Sequence, residues 1–196
     1  MKTKLTEPDC MNITCPDDKV YIGGSQSWYE DRWHKVSGCG PVSASNIIWY
    51  MTRLCGSKAR YIELMSEMYT FVTPGIQGVN NSSIFTDGIS RYLAKAGICF
   101  NPLVLEIPGK SGERPYIDVV LEFIESALRS DAPVAFLNLS NGSLGNLESW
   151  HWVTIIAIET DTMHVEFCDY GNVHEIDIYE WLRTSRLGGA FIYLSE

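Results

Sequence analysis

The chain lacks any long apolar run. Nothing in its 196 residues approaches the ~18 apolar residues of a membrane-spanning helix, and the best stretch, Val153 to Ile158, is short and reads as a strand. The opening segment, Met1-Lys2-Thr3-Lys4-Leu5-Thr6-Glu7-Pro8, is charged with no apolar segment after it, which argues against a secretory signal. Basic residues are scarce: 15 Lys and Arg stand against 24 Asp and Glu, a formal charge of −9. Without a Lys/Arg cluster there is no basic face for nucleic acid, and an anionic membrane surface is a poor partner for the same reason. The six Cys are spread irregularly rather than in a disulfide framework. Reduced thiols and a cytoplasmic location are expected. Cys10 and Cys15 are close, but no second Cys/His pair lies nearby, so no metal is expected. Gly109-Lys110-Ser111 lacks the glycine spacing of a phosphate loop, and no cofactor is implied. No internal repeat or low-complexity tract is visible.

What is present suits a globular core. Hydrophobic residues make up 45% of the chain, and the length fits one domain. Residues 1–24 read as an N-terminal arm, with a short strand at Val20-Tyr21-Ile22, and residues 25–196 as a single domain. The aromatic, polar stretch from Ser25 to Val36 has no clean period and reads as a loop. Helical spacing predicts helices from about Gly40 to Leu54 with Gly56 as terminator, Ala59 to Tyr69, Ser83 to Ala96 ended by Gly97, and Pro115 to Arg129. Asn101 to Ile107 reads as a strand. Strands then dominate: Pro133–Leu139, Trp150–Glu159, Met163–Cys168, Val173–Ile178 and a closing Gly189–Leu194, with a hairpin turn at Asp161-Thr162. Helices first and antiparallel strands last predict an α+β fold.

One stretch carries chemistry. Gly38-Cys39-Gly40-Pro41 sets a thiol between two glycines at a helix start. Unpaired N–H groups and the positive dipole end there favour a thiolate. A cysteine nucleophile needs a base and an orienter for that base. His151 opens the strongest strand, directly after a flexible polar loop, with Trp150 and Trp152 turned to the face opposite it. Asp169 ends the hairpin partner of that strand and could accept an imidazole N–H. Each residue also has a plain structural role: Cys39 as a buried packing thiol, His151 as a cap on backbone groups, Asp169 as a turn former. The case rests on the three positions agreeing.

In order and layout, Gln26, Gly38-Cys39-Gly40-Pro41, His151-Trp152-Val153 and Asp169-Tyr170-Gly171 resemble the papain-like cysteine peptidase superfamily, in particular the bacterial C39-like peptidases. The chain departs from that branch at Tyr170, where Pro is frequent, and it carries no membrane transporter. The resemblance implies a papain-like fold over residues 25–196, with an N-terminal helical half and a C-terminal antiparallel sheet. It implies Cys39 as nucleophile, His151 as general base and acid, Asp169 as orienter, and Gln26 with the Cys39 N–H as oxyanion hole. The cleft would lie between the Cys39 helix and the His151 sheet, with Trp28, Gly38 and Trp150 at the substrate and Trp33 and Trp152 lining or backing it. The implied activity is thioester-forming hydrolysis of a peptide or small amide. Two rival readings stay open: an inactive papain-like domain that binds a peptide or partner, and a thiol acyltransferase of small-molecule biosynthesis.

Overall fold

The computed structural model describes residues 2–196, an α+β fold built on an antiparallel sheet. In chain order the elements are β1 (Lys2–Lys4), β2 (Asn12–Thr14), β3 (Val20–Ile22), α1 (Arg32–Ser37), α2 (Cys39–Met51), β4 (Gly56–Ser57), α3 (Lys58–Phe71), α4 (Ser82–Ala96) and β5 (Asn101–Ile107). Then come α5 (Ile117–Arg129), β6 (Val134–Asn138), β7 (His151–Glu159), β8 (His164–Asp169), β9 (Asn172–Asp177), α6 (Ile178–Thr184) and β10 (Gly189–Ser195). The main sheet runs β5-β10-β6-β7-β8-β9. Along one side of β7, β6 pairs with residues 151–155 and β1 with residues 157–159. A small second sheet, β3-β2-β4, joins an antiparallel pair to a parallel one.

Apolar cores cover both faces of the main sheet. On one side α2, α3 and α4 pack Ile47, Met65 and Phe85 against Leu137, Trp152 and Ile192. On the other, α5 and α6 pack Ile124, Leu128 and Trp181 against Phe136, Ile155 and Phe191. Every residue of β7 from His151 to Ile158 is therefore buried, which explains its continuous apolar run.

Helix α2 is buried all round from Cys39 to Tyr50. A helix without a solvent face needs small residues or satisfied polar ones. Ser45 Oγ donates to the Pro41 carbonyl at 2.8 Å, and Ser43 and Asn46 bond across to β7. Pro41 falls in the first turn, where the absence of an N–H costs no helical bond.

Three expectations are corrected. The stretch Ser25–Val36 is not all loop: Gln26–Trp28 form a 3-10 turn, and α1 follows. Its start is capped by Asp31, whose Oδ1 accepts from the N–H groups of Trp33 (2.8 Å) and His34 (3.0 Å). The Cys39 helix ends at Met51, before Leu54, and Gly56 does not terminate it; Gly56 pairs with Ile13 in the small sheet. The last strand, β10, does not close the sheet at an edge but inserts between β5 and β6.

Candidate active site

Cys39 is the first residue of α2 and is 7% exposed. Its glycine neighbours are required by close approaches. A Cβ on Gly38 would lie 2.5 Å from the His34 carbonyl oxygen, and one on Gly40 would lie 2.8 Å from the Val79 side chain. A buried polar network then pins α2 to β7. Ser43 Oγ meets the Val153 carbonyl and Thr154 Oγ1, each at 3.1 Å, and Asn46 Nδ2 donates to Thr154 Oγ1 at 3.0 Å. Asn46 Oδ1 accepts from the Gly24 N–H at 2.8 Å, tying in the segment that leads to Gln26.

A β-bulge decides which face Asp169 occupies. Near the hairpin turn, Glu159 pairs with His164, Ile158 with Val165 and Ala157 with Glu166. If that register continued, Asp169 would sit across from Thr154 and turn away from His151. The ladder instead shifts between Ile155 and Ala157, so that Ile155 pairs with Phe167 and Thr154 with Cys168. The next step sets Asp169 across from Val153, on the His151 face and diagonal to it. His151 Nε2 and Asp169 Oδ1 are 2.9 Å apart. With Nε2 committed to the carboxylate, Nδ1 is the nitrogen left for the Cys39 sulfur.

His151 is buried. Burial disfavours its charged form, yet the hydrogen bonds and negative charge offered by the Asp169 carboxylate and the Cys39 sulfur push its pKa up to about 10. The imidazole therefore holds its proton at neutral pH. A thiol, an imidazolium and an orienting carboxylate in this order contain the parts of an acyl-transfer site.

The turn after Asp169 fastens the site from below. Tyr170 (φ 47°) and Gly171 (φ 76°) form a two-residue hairpin with both residues left-handed. Pro cannot adopt such a φ, which accounts for its absence here. The turn docks on the N-terminal segment: the Gly171 N–H donates to the Gly24 carbonyl (3.1 Å), and the Ile22 N–H donates to the Gly171 carbonyl (3.0 Å). Tyr170 stacks on the His151 ring, centroids 5.7 Å apart and planes 13° apart. Burial and the neighbouring Glu148 carboxylate push its phenol up to about 12.

Gln26 is brought to this group through Tyr170. Its Nε2 donates to the Tyr170 hydroxyl at 3.2 Å, and that hydroxyl in turn lies 3.5 Å from Glu148 Oε2. Gln26 is buried and its Oε1 has no hydrogen-bond partner. Trp150, just before β7, is half-exposed and lines a cavity of about 280 Å³ that also opens on Cys39. Trp152 is buried instead, stacked on Phe85 at 4.4 Å, with its Nε1 donating to the Val79 carbonyl. Trp28 packs edge-on to Tyr21 (5.2 Å) and Tyr61 (5.9 Å), beneath the Lys58 ammonium. The other histidines are engaged elsewhere. His34 stacks on Tyr69 at 3.8 Å, His164 Nδ1 pairs with the Thr162 carbonyl at 2.8 Å, and His174 lies against Phe167.

Among the described residues no group of three or more His, Cys, Asp and Glu side chains is arranged to hold a metal, and no helix is long and apolar enough to cross a membrane. All six cysteines are free thiols. Tyr170 and Glu148 were not legible as parts of this site. The available signal was the Tyr-Gly pair between two strands, a hairpin signature that also fixes where the tyrosine ring goes. No protein-family model matches the sequence, and no curated protein matches it.

Proposed function

We propose that the chain is a papain-like cysteine hydrolase of the C39-like type, a peptidase or amidase acting on a peptide or small amide. The observation that carries this reading is the His151–Asp169 bond at 2.9 Å, with the Cys39 thiol acting on the same imidazole. The α+β architecture, with Cys39 at a helix start and His151 and Asp169 on neighbouring strands, supports a papain-like fold. Free thiols throughout support a reducing, cytoplasmic setting. The formal charge of −9 favours no nucleic-acid partner.

In this mechanism the Cys39 thiolate attacks the amide carbon while the His151 imidazolium stands beside it. The carbonyl π electrons move to oxygen, and that oxyanion is held by the Cys39 N–H and the second Nε2–H of Gln26. Such a donor is typically worth about 3–4 kcal/mol. The intermediate collapses, the C–N bond breaks, and His151 gives its proton to the leaving amine. Water then attacks the thioester with His151 as base, releasing a carboxylic acid and the thiol. Asp169 keeps the ring oriented throughout.

The test is alkylation of the folded protein by iodoacetamide, followed by mass spectrometry of the labelled peptides. Cys39 should be modified first. If Cys10, Cys15, Cys55, Cys99 or Cys168 reacts faster, the hydrolase reading falls and a peptide-binding domain takes its place.

A further inference from the structure

Of the six tryptophans, two are exposed, Trp33 at 47% and Trp150 at 52%, and both line the cavity that opens on Cys39. Val36 and Ile76, at 66% and 95% exposed, line it too. Four large exposed apolar side chains thus gather around one thiol, with no charged side chain among the lining residues. Exposed apolar surface gathered in this way marks a binding site rather than chance.

Each wall is held by its own element. Trp33 and Val36 are one turn apart on α1, whose start is fixed by the Asp31 cap. Ile76 tops a tight turn closed by reciprocal bonds between Gly75 and Gly78, both 3.0 Å. Trp150 has a left-handed backbone at φ 58°, a conformation bulky residues rarely adopt. Strain of that kind persists where surrounding structure enforces it, and it gathers at ligand sites. Here the residue after it is His151, so the strained turn sets the Trp150 ring at the cavity and the imidazole at the thiol together. The cavity holds about 280 Å³, just under the range for a whole small-molecule ligand. That space suits one large side chain of a longer molecule.

We propose that this cavity receives a single bulky apolar side chain, aromatic or branched, and so selects amides carrying such a group beside the bond to be cleaved. The inference rests on Cys39 being the nucleophile. It adds the substrate class: an uncharged, apolar recognition group.

Three alkylating agents with one warhead separate the two ideas: iodoacetamide, its N-benzyl derivative and its N-carboxymethyl derivative. In each, the Cys39 sulfur forms a bond to the methylene carbon and iodide leaves. Rates at Cys39 are divided by the rate of the same agent with glutathione. The benzyl agent should outpace iodoacetamide by about 10- to 100-fold, the range for a well-filled apolar pocket, and the carboxymethyl agent should lag. Ile76→Ser changes a fully exposed turn residue and leaves the core alone; it should lower the benzyl-to-iodoacetamide ratio several-fold, and Trp150→Ala should lower it further. If Cys39 reacts with all three agents at ratios near one, the apolar-recognition inference is overturned while the nucleophile stands. If none of the three labels Cys39 ahead of exposed Cys55 and Cys99, the nucleophile reading is overturned and this inference with it.

Discussion

Cys39 and Cys168 are both buried thiols on elements that build the candidate site, and their surroundings divide them. Cys168 lies in β8, where burial and the nearby Asp169 and Glu166 carboxylates drive its thiol far up and keep it protonated. Cys39 begins a helix, faces a protonated imidazole and opens on a cavity. Burial alone makes a cysteine inert; an adjacent positive partner and access make it a nucleophile. The largest expected effect tests that contrast. Cys39→Ala should lower turnover by at least about 10⁴-fold with the fold intact by circular dichroism. Cys168→Ala should keep turnover within about threefold and cost about 1 kcal/mol in urea unfolding. Equal losses of activity in the two variants would erase the distinction.

The contrast sharpens at the imidazole. His151→Ala should cost about 10²- to 10⁴-fold in turnover. Asp169→Asn should cost less, about 10- to 100-fold, because an amide oxygen can still accept from Nε2–H. The same pair gives a pH signature in stability. The folded pKa of His151, near 10, lies above its ordinary 6.5. The charged pair therefore contributes its full stability below pH 6.5 and loses it as pH rises toward 10. The difference in urea midpoint between the native protein and Asp169→Asn should be largest near pH 6 and fade by pH 10. A difference that grows with pH would mean that His151 is neutral in the fold.

Next in size is the backbone that presents Cys39. Gly38→Ala sets a Cβ 2.5 Å from both the His34 carbonyl oxygen and a Tyr29 ring carbon. The carbonyl is backbone and cannot swing aside. The variant should lose about 1–3 kcal/mol and label Cys39 more slowly, since the start of α2 must shift. Gly145 provides the control: an added Cβ meets nothing within 4 Å, and Gly145→Ala should be within about 0.5 kcal/mol of the native protein.

The two sides of the site were not equally legible in the sequence. Gly38-Cys39-Gly40-Pro41 announces a helix start because Gly and Pro act locally, and α4 ends where Gly97 says it should. Helix α1 was hidden because six residues carry too little periodicity, and only the Asp31 cap marks it. Strand β1 is Lys-Thr-Lys, with no apolar pattern, and exists through its ladder to β7. The bulge in β7 was invisible for a deeper reason. A strand buried on both faces has no alternation, so its parity cannot be read from its residues. A hairpin turn at Asp161-Thr162 brings His151 and Asp169 to neighbouring strand ends, but the one-residue shift between Ile155 and Ala157 is what turns both to one face.

The smallest effect probes the part of the site that only the structure reveals. The Tyr170 hydroxyl has one proton, and Glu148 Oε2 at 3.5 Å is the acceptor that draws it. Its lone pairs then face Gln26, which must present Nε2–H rather than Oε1, as the 3.2 Å bond has it. In the proposed mechanism, the chain Gln26 to Tyr170 to Glu148 thus fixes which end of the amide faces the oxyanion. Tyr170→Phe removes the hydroxyl and keeps the ring stacked on His151. The Gln26 amide is then free to turn, and a fraction of molecules offers an oxygen to the oxyanion instead of a donor. Turnover should fall about three- to tenfold, less than the loss of the donor itself, with KM and the pH profile of His151 unchanged. Gln26→Ala should cost more, and adding Tyr170→Phe to it should cost nothing further, because the hydroxyl acts only through that amide. Additive losses in the double variant would show that Tyr170 works through the imidazole instead.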